Sequence, residues 1–233
     1  MNLYDIFLAQ DRWLYLWRGL EITLLLTVFS VILGLLLGIT IALMRQSTWR
    51  PLRNLPSRRL QQLRPLALFA RGYTTVIQGT PVLVQLLIMY YVVFGSYTWM
   101  PKLWVATIAF GINSGAYVAE IIRGGIEAID KGQTEAATAL GMSNWQTMRY
   151  ILLPQALRRS LPSLMSECIA LLKETSVVGW IGMNDLMRGA DNIRFQTATA
   201  FESLVAAGLI YLCLTSLFTA IMNRVEKRLH AHD

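Results

Sequence analysis

The chain has 233 residues, of which 55 % are hydrophobic and only 15 % charged, with a formal net charge of +7. Soluble domains carry about 25 % charged residues, so this composition excludes an ordinary soluble fold and points to one membrane-embedded domain. The basic residues lie between apolar runs, where they set topology, and not on a soluble face with aromatic platforms as nucleic-acid binding requires.

Residues 1–18, "MNLYDIFLAQDRWLYLWR", lack the basic start and small-residue cleavage site of a signal peptide. They read as an amphipathic lead-in outside the membrane, with Trp13, Tyr15 and Trp17 at the membrane–water boundary. A span needs about 20 mostly apolar residues, and five stretches qualify: 19–44, 73–94, 103–125, 161–182 and 201–223. Polar residues interrupt the second and fourth. Between the first two lies 45–71, with seven arginines and no acid, which suits anchoring to anionic lipid heads. With the N-terminus outside, the cytoplasmic segments 45–72, 123–159 and 224–233 hold 15 basic residues and the outer segments hold 5. The positive-inside rule therefore places the N-terminus outside and the C-terminus, ending in a short tail over 229–233, in the cytoplasm.

The third span carries Asn113, Tyr117 and Glu120 at helical spacing, flanked by Ser114. Glu120 and Arg123, three residues apart, also form a natural ion pair. The fourth carries Ser163, Ser166, Glu167, Lys173 and Glu174 on one stripe, which must avoid lipid. The candidate lining of a solute pathway is Asn113, Ser114, Tyr117, Glu120, Glu167, Lys173 and Glu174; pairing within the protein is the competing use of each charge. Cys168 and Cys213 lie in apolar runs and read as reduced thiols. His230 and His232 lie in the polar tail and read as solvated side chains. No metal or catalytic cluster is expected.

Residues 131–159 are mixed in polarity and face the cytoplasm in this topology. "TEAATAL" favours a helix, Gly141 ends it, and "SNWQ" is a capping box in which Ser143 caps the next helix and Gln146 reaches back. Trp145, Met148 and Leu152 fall on one face, and Pro154 is expected to end or kink the helix.

The spacing Glu135-Ala136-Ala137, Gly141, Ile151, Leu153, Pro154 resembles the EAA signature of bacterial ABC importer permeases. "QGTPVLVQL" (78–86) resembles the "RGTPLLVQL" of the polar amino-acid, histidine/glutamine permease type, with Gln78 in place of arginine. "NSGAYVAEIIRGGIEAIDKGQ" (113–133) and "LLKETSVVGWIG" (171–182) are similar to the same subfamily, and the resemblance spans about residues 19–228. It implies an all-α membrane protein: about five transmembrane helices in the type I ABC importer permease fold, with a cytoplasmic coupling helix. It further implies a bacterial inner-membrane location, a second permease subunit, identical or paralogous, two ABC ATPase subunits and an extracytoplasmic amino-acid-binding protein. Glu135, Ala136, Ala137, Gly141 and Pro154 would couple to the ATPase. The chain has no phosphate loop, so ATP-Mg would be bound by the partner and no cofactor by this chain. The alternatives are an ATP-independent channel or secondary transporter, which leaves the EAA pattern without a purpose, and a membrane enzyme, for which no predicted span offers a histidine.

Overall fold

A computed structural model of the chain describes residues 2–47, 49–51 and 62–230, with backbone alone over 225–230. Residues 48 and 52–61 of the arginine-rich loop, the expected lipid anchor, lie outside the described residues, as do residues 231–233.

After the lead-in comes α1 (Trp13–Gln46), followed by α2 (Pro65–Gln78), α3 (Val82–Leu87) and α4 (Lys102–Glu127). Two short helices, α5 (Lys131–Ala139) and α6 (Asn144–Gln146), precede α7 (Leu153–Glu174), α8 (Leu186–Thr197) and α9 (Ala200–His230). Among the described residues, α1, α4 and α9 are long and apolar enough to cross a membrane, as the first, third and fifth expected spans require. At about 1.5 Å per residue, 34-residue α1 is longer than a hydrocarbon core of about 30 Å is thick.

The second expected span differs from the straight helix over 73–94. It is a pair, Pro65–Gln78 and Val82–Val93, bent by 104°. Pro81 lies at the break: a proline disfavours the helical region for the residue before it, and Pro81 itself is extended at φ −63°, ψ 137° as the cap of α3. The fourth expected span also differs. Its α-helix starts earlier, at Leu153, and stops at Glu174; a 3-10 turn, Thr175–Ile181, finishes the segment at Gly182. Arg158, Arg159, Glu167, Lys173 and Glu174 dilute the apolar character of α7.

The chain divides into two compact units. The first comprises Met1–Leu33, Pro81–Gly111 and Cys168–Asp233. Its core holds Leu26, Leu86, Phe110, Leu171, Val178 and Ile181. The second comprises Gly34–Thr80 and Ile112–Glu167, with a core of Ile41, Ala70, Val118, Ile122, Ile126 and Leu164. In it α1 and α4 approach so closely that a Cβ on Gly38 would lie 2.3 Å from Val118 Cγ1. Small residues at a membrane helix contact permit this approach. Within the first unit, α9 exposes Phe201, Leu209, Leu212 and Leu217, an apolar surface suited to lipid or protein.

Candidate functional site

The polar segment folds as its sequence predicts. Asp130 caps α5, its carboxylate accepting from the Gly132 N–H at 2.7 Å. Gly141 at φ +75° ends the helix in the left-handed region. Its N–H donates to the Thr138 carbonyl, and the Met142 N–H donates to the Ala137 carbonyl, both at 3.0 Å. This is a Schellman motif, which uses carbonyls that the helix itself leaves free. Ser143 and Gln146 form the expected capping box: the Ser143 N–H donates to Gln146 Oε1 at 2.8 Å, and the Gln146 N–H donates to Ser143 Oγ at 3.3 Å.

Pro154 does not end the following helix. The backbone first widens into a π turn, Thr147–Leu152, and Pro154 then occupies the second position of α7. The helix is unbroken from Asn144 through Pro154 to Glu174, and the widened turn lies just before the residue that lacks an N–H. The Gln155 side-chain amide donates to the Ile151 carbonyl at 3.0 Å.

Glu135, Ala136, Gly141 and Pro154 are exposed, whereas Ala137 is buried. Leu140, Trp145 and Tyr150 stand out with 82 %, 60 % and 61 % of their surface exposed. Three large apolar side chains thus stand exposed on a well-capped polar piece. The base of the piece is fixed: Met148, Leu152 and Leu153 pack on the core of the second unit, and Arg159 donates to the Ala128 carbonyl.

Of the candidate pathway residues, Ser114 and Glu167 meet. Buried Ser114 donates to Glu167 Oε1 at 2.8 Å, joining α4 to α7. Asn113 beside them is buried, and Tyr117 is about one-third exposed. Glu120 serves pairing instead. It accepts from Arg123 at 2.6 Å and from Arg45 at the end of α1, while Arg123 also reaches Glu127. Arg45 extends the cluster to the Thr74 hydroxyl on α2. Sequence reading counted Arg45 as topology charge within the lipid-anchoring loop; nothing local marks a partner 75 positions away.

In the first unit, exposed Lys173 lines a cavity of about 420 Å³ with Ser176, Met187, Leu204 and Tyr211. Glu174, one position on, is half-buried. The Lys173 ammonium and the Ser176 hydroxyl border a largely apolar cavity, while the Tyr211 hydroxyl is itself buried.

One functional group went unnoticed in the sequence. Asp185 is fully buried and caps α8, accepting from the Met187 and Arg188 N–H groups at 3.1 Å each. Burial pushes its carboxyl up to about 6, against the lowering effect of those bonds. The Leu186 N–H donates to Thr23 Oγ1 on α1 at 3.1 Å. The lead-in holds the other end of the same helix: Arg12 and Tyr15 both hydrogen-bond Gln196. An aspartate just before an amphipathic helical stretch was the available signal.

Among the described residues, no group of three or more histidine, cysteine or acidic side chains is placed to hold a metal ion.

Comparison with known proteins agrees with this geometry. Residues 59–231 match the family described as binding-protein-dependent transport system inner membrane component. The arginine transport system permease protein ArtQ of Bacillus subtilis (strain 168) is 41 % identical over 227 residues, covering 94 % of each chain. The glutamate/aspartate import permease protein GltK of Escherichia coli O157:H7 is 35 % identical, covering 92 % of this chain and 93 % of that one. The crystal structure of an amino acid ABC transporter with histidines superposes with a TM-score of 0.81 at 40 % identity, covering 95 % of this chain and 98 % of that chain. A MetNI methionine ABC transporter, at 18 % identity and a TM-score of 0.77, shares the fold.

Proposed function

The chain belongs to the family of binding-protein-dependent transport system inner membrane components, and from that premise we propose that it is the permease subunit of an ATP-driven importer of polar amino acids. It forms the translocation pathway and leaves ATP hydrolysis to a separate subunit. The relatives named for arginine and for glutamate/aspartate carry solutes of opposite side-chain charge, so the shared chemistry is the zwitterionic backbone of an amino acid.

The observation that carries this reading is the capped, exposed surface of 131–159 fixed to the core of the second unit. Leu140, Trp145 and Tyr150 provide apolar anchors for an ATPase groove, and Glu135 adds an acid on the same exposed piece. In this reading the segment lies on the cytoplasmic side, with the N-terminus outside. A second permease subunit covers the apolar surface of α9, and a binding protein delivers the amino acid from outside. ATP with magnesium is turned over on the partner, and closure of the ATPase pair presses the two coupling segments. Each pressed segment moves α4 and α7, and the preference of the nucleotide for one conformation shifts the open side of the pathway.

Within the second unit, Asn113, Ser114, Tyr117 and Glu167 are proposed as pathway groups; within the first unit, Lys173 and Glu174 are proposed, and this pair offers both signs of charge to a zwitterion. Glu120 leaves this set, because Arg45 and Arg123 already engage it.

The decisive experiment is purification of the assembled complex, followed by ATP turnover with single amino acids presented on the binding protein. Stimulation by a polar amino acid is expected. Solute movement by this chain with no ATPase present would favour the channel or secondary-transporter alternative.

A further inference from the structure

We propose that Asp185 and Tyr211 are a positioning pair within the first unit: when the Asp185 carboxyl ionises, it accepts a hydrogen bond from the Tyr211 hydroxyl and so fixes the ring that walls the Lys173 cavity. The proposal rests on the reading of that cavity as part of the solute pathway. Three elements bring the pair together. Asp185 is fully buried at the start of α8. Thr23 on α1 is also fully buried and accepts from the Leu186 N–H at 3.1 Å. There α1 and α8 approach so closely that a Cβ on Gly19 would lie 2.4 Å from the Asp185 carbonyl oxygen. Tyr211 on α9 has a buried hydroxyl that, among the described residues, makes no hydrogen bond of good geometry. Asp185 and Thr23 are the side chains that act on it. The same tyrosine lines the cavity of about 420 Å³ with Lys173, Ser176 and Met187.

A buried hydroxyl without a partner is unfavourable, and a buried carboxylate short of donors is more so. Asp185 accepts from the Met187 and Arg188 N–H groups, and a carboxylate has room for about four such bonds. The Tyr211 O–H is the donor that meets both needs. A neutral carboxyl accepts more weakly than a carboxylate, so protonation loosens the ring. The other charges at this end of the unit have partners of their own. Asp191, which raises the Asp185 carboxyl slightly, pairs with Arg194 at 2.9 Å, and Lys102 donates to the Gly182 carbonyl at 3.2 Å. On α1 the facing group is the neutral Thr23. Burial holds the Asp185 proton up to about 6, so the exchange of partners falls in a range that external pH reaches. A fixed wall binds solute better than a loose one, because less freedom is lost on binding.

The test places 3-fluorotyrosine at position 211 of the complete complex in lipid nanodiscs. Its fluorine resonance is expected to move between about pH 5 and about pH 7.5, with a midpoint near 6, and to stay fixed in Asp185→Asn. In the second arm, arginine, glutamate and glutamine, each on the binding protein, drive ATP turnover. Half-stimulation should need about fivefold less solute at the higher pH, the factor that one net hydrogen bond supplies. Asp185→Asn and Tyr211→Phe should remove that difference. The same binding protein serves every variant, so its own pH response cancels in the comparison. If Asp185→Asn does not assemble, the wild-type titration and Tyr211→Phe decide. A resonance that stays fixed in wild type, or moves equally in Asp185→Asn, overturns the proposal. So does a moving resonance with the same pH response of half-stimulation in wild type and Tyr211→Phe. Turnover that no amino acid stimulates at either pH would overturn the transport reading and the link to solute with it, while the resonance still decides the pairing.

Discussion

Ser114 on α4 donates a 2.8 Å hydrogen bond to Glu167 on α7, although 53 positions separate them. The serine is buried to 1 % exposure, so its hydroxyl is committed to the protein interior. An intramolecular hydrogen bond contributes about 0.5–1.5 kcal/mol net, and leaving a buried partner unsatisfied costs about 1–3 kcal/mol. Ser114→Ala should therefore lower the thermal midpoint of the purified complex. If Glu167 lines the pathway, Glu167→Gln should reduce uptake at least about tenfold while assembly persists, a loss of about 1.4 kcal/mol. Unchanged uptake kinetics in Glu167→Gln would remove that residue from the pathway and leave it a purely structural role.

Gly141 tests the coupling surface. At φ +75° an L-residue costs about 1–2 kcal/mol, and Asn less than other residues. No neighbouring atom lies within 4 Å of a Cβ built there, so Gly141→Trp places a bulky ring on the outer surface without an internal clash. The expected result is an assembled permease whose ATP turnover no longer responds to substrate, with Gly141→Asn close to wild type. Normal uptake and normal stimulation in Gly141→Trp would rule out this face as the ATPase contact.

Glu120 has a different expected signature. Its two arginine partners and the limited exposure of all three side chains make it a tie between α1 and α4. Glu120→Gln should cost about 1–2 kcal/mol, felt as a lower thermal midpoint. The relative uptake of cationic, neutral and acidic amino acids should stay as in wild type. A change in solute preference would return Glu120 to the pathway.

Asp185 links stability to pH. Its carboxyl titrates near 6 in the folded protein, above the ordinary aspartate value of 3.8. The folded state therefore holds this proton more tightly than the unfolded state does. The stabilisation is fully present below about pH 4 and is lost as pH rises through about 6, up to about 3 kcal/mol in all. Asp185→Asn keeps an oxygen for the Met187 and Arg188 N–H groups but cannot ionise. Its thermal midpoint should vary less between pH 4 and 7 than that of wild type, and should exceed wild type at pH 7. Asp185→Ala removes the cap and should cost about 1 kcal/mol at any pH. Identical pH profiles for wild type and Asp185→Asn would show that this carboxyl titrates normally.

The sequence alone determined what short-range physics decides. A run of apolar residues long enough for a membrane produced α1, α4 and α9. The turn at Gly141 and the Ser143–Gln146 box were legible because every group they satisfy lies within a few residues. Pro81 and Pro154 show the boundary of that reading. A proline's missing donor is local, but whether the chain answers with a 104° bend or with a widened turn that carries the helix onward depends on its packing. Only the tertiary structure could choose among partners for the buried charges. Arg45 and Glu120 stand 75 positions apart, and the burial that moves Asp185 comes from the elements packed around α8. A charge in an apolar surround takes whatever counter-charge or donor the fold brings to it, and chain spacing does not encode that choice.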